Sequence, residues 1–346
     1  MIQTHGGDVY RYPDMLDFSA NINPLGTPSA VMEAAAASLK NIKNYPDLKK
    51  QELFEALSEA EQIPVENLIL GNGAAELIFA FCWAVKPKKA LLTAPSFAEY
   101  ERGLKACGCQ KIRYAALREE AGFRLEEAFL SELTEDLDVV MLCNPNNPTG
   151  CLIDGNLLEK ILQRCREYHI YLLLDECFVD FVDEPEKTTC KQLLEQYREM
   201  FILKAFTKLY AMAGLRLGYG MSRNTELLQK MEQCLQPWNI SIPAQAAGVA
   251  ALREKAYVAE SRQLIRQERK WLQEQLKALG IRVYDSAANY IFFRGPEGLT
   301  EKLLKQQIMI RDCSGYPGLG EGYYRIAVRT HAENEKLIQI MTVINI

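Results

Sequence analysis

From residue 68 to residue 220, short apolar runs alternate with amphipathic stretches, and this rhythm limits the possible folds more than any other feature. The runs are "LIL" at 68–70, "KALLTA" at 89–94, "DVVMLC" at 138–143, "YLLLDE" at 171–176 and "MFILKAF" at 200–206. Each is of strand length and nearly continuous in apolar residues, the pattern of a strand covered on both faces. Between them lie helical stretches such as "AELIFAFCWAV" at 75–85 and "GNLLEKILQRCREY" at 155–168. In the second, Leu157, Leu158, Ile161, Leu162 and Cys165 share one helical face. Alternation of this kind predicts an α/β fold, a three-layer α/β/α arrangement around a mainly parallel sheet.

Past a long charged helix, expected from about 252 to 279, the rhythm changes to "RVYDS", "YIFFR" and "YRIAVRT" with intervening helices. That predicts a smaller α+β domain. The expected division is a large domain over 41–245, and a small domain made of 1–40 and 246–346. The N-terminal arm shows no strand pattern and is expected to pack on the small domain. Ser96-x-x-Glu99 and Thr330-x-x-Glu333 fit capping boxes, and Thr27-Pro28 fits a cap followed by a first-turn proline.

The 346 residues give room for a large core, and a net charge of -5 offers no reason to expect nucleic acid or an acidic membrane as partner. An anionic small molecule stays possible, because local arginines can outweigh a mildly acidic surface. The ten cysteines are irregularly spaced, with Cys107-x-Cys109 the nearest approach to a C-x-x-C pair. With no signal-peptide pattern, this predicts a reducing cytoplasm in place of a disulfide framework. No apolar run approaches the roughly 20 residues of a membrane span. His5, His169 and His331 form no metal-ligand pattern, which argues against a zinc hydrolase.

In an open parallel sheet, ligands bind beyond the carboxyl ends of the strands. After "LIL" comes Gly71-Asn72-Gly73-Ala74-Ala75-Glu76 and then a helix. This is either a tight turn or an anion cradle at a helix N-terminus. The dinucleotide fingerprint fails at its third glycine, which is Glu76. After "DVVMLC" comes Asn144-Pro145-Asn146-Asn147-Pro148-Thr149-Gly150, a turn in which Asn147 could offer a fixed amide donor. After "YLLL" comes Asp175, either salt-bridged or partnering a protonated ring nitrogen. After "MFILKAF" come Thr207, Lys208 and later Arg216. Lys208 alone reads more readily as a surface or paired lysine than as a chemical one. In this order on one sheet, the four pieces are the parts needed to hold pyridoxal 5′-phosphate: a lysine for its aldehyde, an aspartate for its ring nitrogen, a helix N-terminus for its phosphate.

Gly71–Glu76, "NPNNPTG", "LLLDE" and T-K-x₇-R resemble the fold type I pyridoxal-phosphate enzymes of the aspartate aminotransferase superfamily, in order and over nearly the whole chain. The resemblance implies that Lys208 joins the cofactor aldehyde and Asp175 pairs with the pyridine nitrogen. It implies that Asn147 bonds the ring oxygen, that Phe97 stacks on the ring, and that Gly73, Ala74, Thr207 and Arg216 bind the cofactor phosphate. Tyr45, in "NYPD", resembles a tyrosine that reaches the neighbouring subunit's phosphate, which implies a homodimer. Ala205 departs from the many relatives with a hydroxyl three residues before the lysine.

"HGGD", "LDFSANINPLG", "PSFAEY", "DECFVDF" and "IRDCSGYPGLGEGYYRIAVRT" resemble the threonine-phosphate decarboxylase branch, of cobalamin biosynthesis, more than the histidinol-phosphate aminotransferases. Phe178 stands where the aminotransferase pattern usually has a tyrosine. The implied substrate is a small phosphorylated amino acid, O-phospho-L-threonine, with O-phospho-L-serine a close competitor. Arg325 is expected to bind its carboxylate, and His5, Gly6, Asn21, Asn147 and Arg311 to line the rest of the site. Its phosphate is assigned mainly to His5 and Arg311. On their residues alone, Arg325 and Arg329 could each face solvent, and Arg311-Asp312 could be a local ion pair.

Overall fold

The structure is a computed structural model and describes residues 5–344. Its main sheet has seven strands. From one edge to the other they are Leu68–Gly71, Gly218–Met221, Met200–Ala205, Tyr171–Asp175, Val139–Cys143, Lys89–Ala94 and Lys111–Ala116. Gly218–Met221 runs antiparallel to both neighbours, and the other pairings are parallel.

The apolar runs feed two cores. Leu70, Leu91, Val140, Leu142, Leu172, Leu174 and Ile202 pack with helices Gln51–Glu61, Gly155–Glu167 and Ile242–Leu252. Ile69, Leu92, Met141, Leu173, Phe201 and Leu203 pack with Ala74–Val85, Ala98–Ala106 and Thr225–Glu232. Truncating one such buried leucine to alanine removes about 2–5 kcal/mol.

A second sheet has four antiparallel strands in the order Arg311–Asp312, Tyr323–Ala327, Tyr290–Arg294 and Arg282–Val283. Helices Lys255–Ala278 and His331–Val343 cover it with Leu272, Leu276, Leu337 and Met341. The N-terminal arm does carry a strand: Leu16–Asp17 pairs in parallel with Ile308–Met309, and Phe18 enters the same core. Two residues are too few to leave a period in the sequence. Helix Ser29–Ser38 instead places Val31 in the core of the large sheet.

The capping box at Thr330 and Glu333 is present. The other two expected caps are not. Phe97, not Ser96, precedes Ala98–Ala106 and its phenyl ring has no acceptor to cap with, while Glu99 is turned to Arg102 and His5. Pro28 precedes Ser29–Ser38, while Thr27 Oγ1 donates to the Ala211 carbonyl at 2.7 Å.

The parallel pairing has one consequence for function. It brings the residues after Ala94, Cys143, Asp175 and Ala205 to the same edge of the sheet.

Candidate active site

A cavity of about 420 Å³ opens at that edge. Phe97, Asn147, Asp175, Thr207, Lys208, Arg216 and Ala74 line it, and so do His5, Gly6, Asn21, Arg311 and Arg325. Gly73 lies against it through Arg216. Tyr45 does not line it: its side chain is 77 % exposed and stacks on Trp238 at 4.5 Å.

The anion end begins at Gly73, which precedes the 12-residue helix Ala74–Val85 with φ +81°. A Cβ on Gly73 would lie 2.5 Å from Arg216 Nη2, so only glycine lets the guanidinium close on the loop. Gly218 is equally constrained, since a Cβ there would meet the Ala74 nitrogen at 2.5 Å. Glu76, the residue that broke the dinucleotide fingerprint, accepts from the Asn72 amide at 2.6 Å and from Asn239 Nδ2 at 2.7 Å. It closes the loop with a side chain. Helix N-terminus, Thr207 hydroxyl and Arg216 together suit a phosphate.

Asp175 is a buried carboxylate with no cation bonded to it. It accepts from Tyr100 Oη at 2.6 Å and from the Cys177 amide at 2.9 Å. Burial pushes its carboxyl upward, against the pull of these two donors. A cation arriving at Asp175 would remove that penalty. Phe97 meets Tyr100 edge-on at 5.6 Å, so ring wall and carboxylate are positioned from one turn of one helix.

Arg325 is buried. Its Nη1 donates to Asn147 Oδ1 at 2.5 Å and its Nη2 to the Ser19 carbonyl at 2.9 Å, while Nε has no partner. Arg325 lines the cavity with a guanidinium that no carboxylate among the described residues holds, and a substrate carboxylate fits such a fork. With Asn147 Oδ1 occupied by Arg325, the amide's Nδ2 is the group left to donate. Asn21 is also buried, with Oδ1 unpartnered. Arg329, by contrast, donates to the Asp17 carbonyl at 2.9 Å and to Glu333 at 2.6 Å, a structural bracket. Arg311 pairs in register with Arg325 and lies over Tyr316, 5.5 Å from its ring centre.

Lys208 lies among these cations. Burial first, then the Arg325 and Arg216 guanidinium groups, pull its ammonium down to about 8. A free amine is therefore accessible near neutral pH. The donor set, a phosphate cradle, a buried cation-seeking carboxylate and a lysine with a lowered ammonium, fits pyridoxal 5′-phosphate.

A larger cavity, of about 940 Å³, surrounds Lys204. There the charges close on one another: Lys204 Nζ lies 3.0 Å from Glu61 and 3.1 Å from Asp180. Nothing in it resembles the cofactor set.

Several lining residues escaped sequence reasoning: Ser19, Glu99, Arg102, Cys177 and Tyr316. Tyr100 escaped too, although its spacing of three from Phe97 on a helix was a usable signal. Ser19 acts through its carbonyl, which no residue type announces.

Fold and site together define a class, and the chain belongs to the aminotransferase class I and II family, whose model matches residues 13–341. Within it, the chain is 40 % identical to a threonine-phosphate decarboxylase of Salmonella typhimurium, over 96 % of this chain and 94 % of the relative. It is 32 % identical to a histidinol-phosphate aminotransferase of Archaeoglobus fulgidus, over 95 % of this chain and 94 % of that one. Among solved structures it resembles the histidinol-phosphate aminotransferase from Clostridium acetobutylicum, with TM-score 0.89, 32 % identity and coverage of 96 % and 99 %. The L-threonine-O-3-phosphate decarboxylase from Porphyromonas gingivalis has TM-score 0.82 at 21 % identity, covering 95 % and 99 %, and shares the fold.

Proposed function

We propose that the chain is a pyridoxal-phosphate-dependent carboxy-lyase. It converts O-phospho-L-threonine to 1-aminopropan-2-ol O-phosphate and carbon dioxide, a step of cobalamin biosynthesis. The observation that carries the choice of reaction is the 40 % identity to a threonine-phosphate decarboxylase over nearly the whole chain. Phe178 supports it, since its ring packs edge-on against Tyr290 at 5.0 Å and offers no hydroxyl to the site.

When bound, pyridoxal phosphate supplies an electron sink for the pair left at Cα when carbon dioxide departs. Lys208 Nζ, neutral in part near pH 8, is the amine that meets the aldehyde. Asp175 holds the ring nitrogen's proton, and Tyr100 and the Cys177 amide fix that carboxylate. Asn147 Nδ2 donates to the ring oxygen while its Oδ1 steadies Arg325. Arg325 grips the substrate carboxylate and so sets which bond at Cα would stand across the ring. Phe97 and Phe178 line the site and limit water. His5 and Arg311 take the substrate phosphate. Lys208 Nζ, in the same cavity, would be the group placed to return a proton to Cα.

The active unit is a homodimer in the cytoplasm. Tyr45, Ile42, Leu48 and Trp238 are exposed on one chain, and Tyr45 reaches the cofactor phosphate of the second copy. All ten cysteines are thiols, and among the described residues no helix is long and apolar enough to cross a membrane. One methyl separates O-phospho-L-serine from the threonine compound, worth about 1–3 kcal/mol of discrimination.

The test is carbon dioxide release from O-phospho-L-threonine by the cofactor-loaded protein. Release without any 2-oxoacid is the expected result. Glutamate formed from histidinol phosphate and 2-oxoglutarate, with no gas, would overturn it.

A further inference from the structure

We infer that Glu99 is a positioning residue for the substrate phosphate, holding His5 and Arg102 at the mouth of the cavity. The inference rests on the proposed reading only for what carries the phosphate.

Glu99 sits in the first turn of Ala98–Ala106 and is 7 % exposed. Its Oε1 lies 3.2 Å from His5 Nε2 and accepts from Arg102 Nη1 at 2.8 Å. The side chains of both partners are more than half exposed, and all three residues line the cavity. One buried oxygen thus gathers a cation from its own helix and an imidazole from the N-terminal arm. A carboxylate facing a phosphate pocket repels the dianion unless cations outnumber it. Here Arg102 and the nearby Arg311 do.

The arm's other anchor is Ser19. Gly7 N donates to Ser19 Oγ at 2.8 Å, and that hydroxyl donates to Asp17 at 2.6 Å. Gly6 lies so close that a Cβ would come within 2.3 Å of the Ser19 carbonyl oxygen. The same oxygen accepts from Arg325. His5 is therefore held between Ser19, which steadies the carboxylate-binding arginine, and Glu99. A Gly-Gly arm has no stiffness of its own, so without Glu99 the imidazole would have to be ordered at each binding event. With Nε2 donating to Glu99, Nδ1 is the ring edge left for the phosphate, the shared proton lying either on Nδ1 or on a phosphate oxygen. An accepting carboxylate behind the ring also fixes which nitrogen that is.

The experiment measures inorganic phosphate affinity by calorimetry, and kcat and KM for O-phospho-L-threonine, on cofactor-loaded enzyme. The variants are Glu99→Ala, Glu99→Gln, His5→Ala, the His5→Ala/Glu99→Ala pair, and Glu101→Gln. Glu101 pairs with Lys105 on the same helix and serves as the control. The expected result is phosphate affinity about tenfold weaker in Glu99→Ala, with KM raised alike and kcat within about twofold. Glu99→Gln, which keeps the acceptor and loses the charge, recovers part of this. Adding Glu99→Ala to His5→Ala costs less than about threefold more, because the two act as a unit. Phosphate bound as tightly or more tightly by both Glu99 variants would overturn the inference, as would losses that multiply in the double variant. Wild-type enzyme that binds phosphate through Glu99 yet releases no carbon dioxide would sink the proposed reaction alone.

Discussion

Lys204 and Lys208 are four residues apart in sequence, the first buried in a strand and the second partly buried just past it, and they have opposite fates. Lys204 is pressed between Glu61 and Asp180, and its paired carboxylates hold the ammonium well above its ordinary range against the cost of burial. Lys208 has no carboxylate bonded to it in this structure, and burial with two nearby guanidinium groups pulls it down to about 8. The first is a structural cation. The second is a nucleophile in waiting. Lys204 is the more buried of the two yet keeps its charge, so the sign of the neighbouring charge decides the outcome.

The largest expected effect lies at Lys208. Lys208→Ala should cut turnover by on the order of 10⁴ or more and abolish the visible absorption of the bound cofactor. Normal turnover in that variant would erase the distinction between the two lysines. Lys204→Met should do the reverse. Cofactor absorption should persist, while urea titration shows a loss of about 3 kcal/mol, because Asp180 loses its cation and buried Glu61 keeps only Lys191.

The acid limb sharpens the same contrast. Burial works to raise the Glu61 carboxyl, but Lys204, Tyr219 and Lys191 hold it down at about 2. Its folded value is depressed, so its contribution is present above the ordinary value near 4.5 and lost as pH falls through about 2. Over that window the wild type should lose on the order of 3 kcal/mol more than Glu61→Gln, measured by denaturant midpoints at successive pH values. A parallel decline would show that the network is not coupled to folding. Smallest is Tyr100→Phe, which leaves Asp175 with one donor fewer. Turnover should fall about ten- to hundredfold, as for a hydrogen bond to a charged group of about 1.5–3 kcal/mol. Unchanged turnover, and an unchanged cofactor spectrum, would remove Tyr100 from the site.

The two lysines also mark how far the sequence could be read. Lys208 was legible because it follows an apolar strand with threonine before it and Arg216 behind. Lys204 was hidden inside that strand, and its partners Glu61 and Asp180 lie far away in sequence. The same holds for the fold. Buried strands such as Val139–Cys143 declare themselves by continuous apolar residues. Lys111–Ala116 is a partly exposed edge strand with two charges, and Gly218–Met221 is four residues with two glycines, so neither leaves a period. In the site, cofactor-side residues such as Asp175 and Asn147 sit directly after strands and were readable one at a time. The substrate side is assembled from the N-terminal arm, helix Ala98–Ala106 and strand Tyr323–Ala327. There Glu99 looked like a helix cap until its two partners, His5 and Arg102, were placed beside it.

The central claim is that the depressed lysine, and not its buried neighbour, carries the cofactor. Borohydride reduction of the loaded protein, followed by peptide mass mapping, tests it directly. The expected result is a pyridoxyl adduct on Lys208, with Lys204 unmodified. An adduct on Lys204, or none on either lysine, would contradict it.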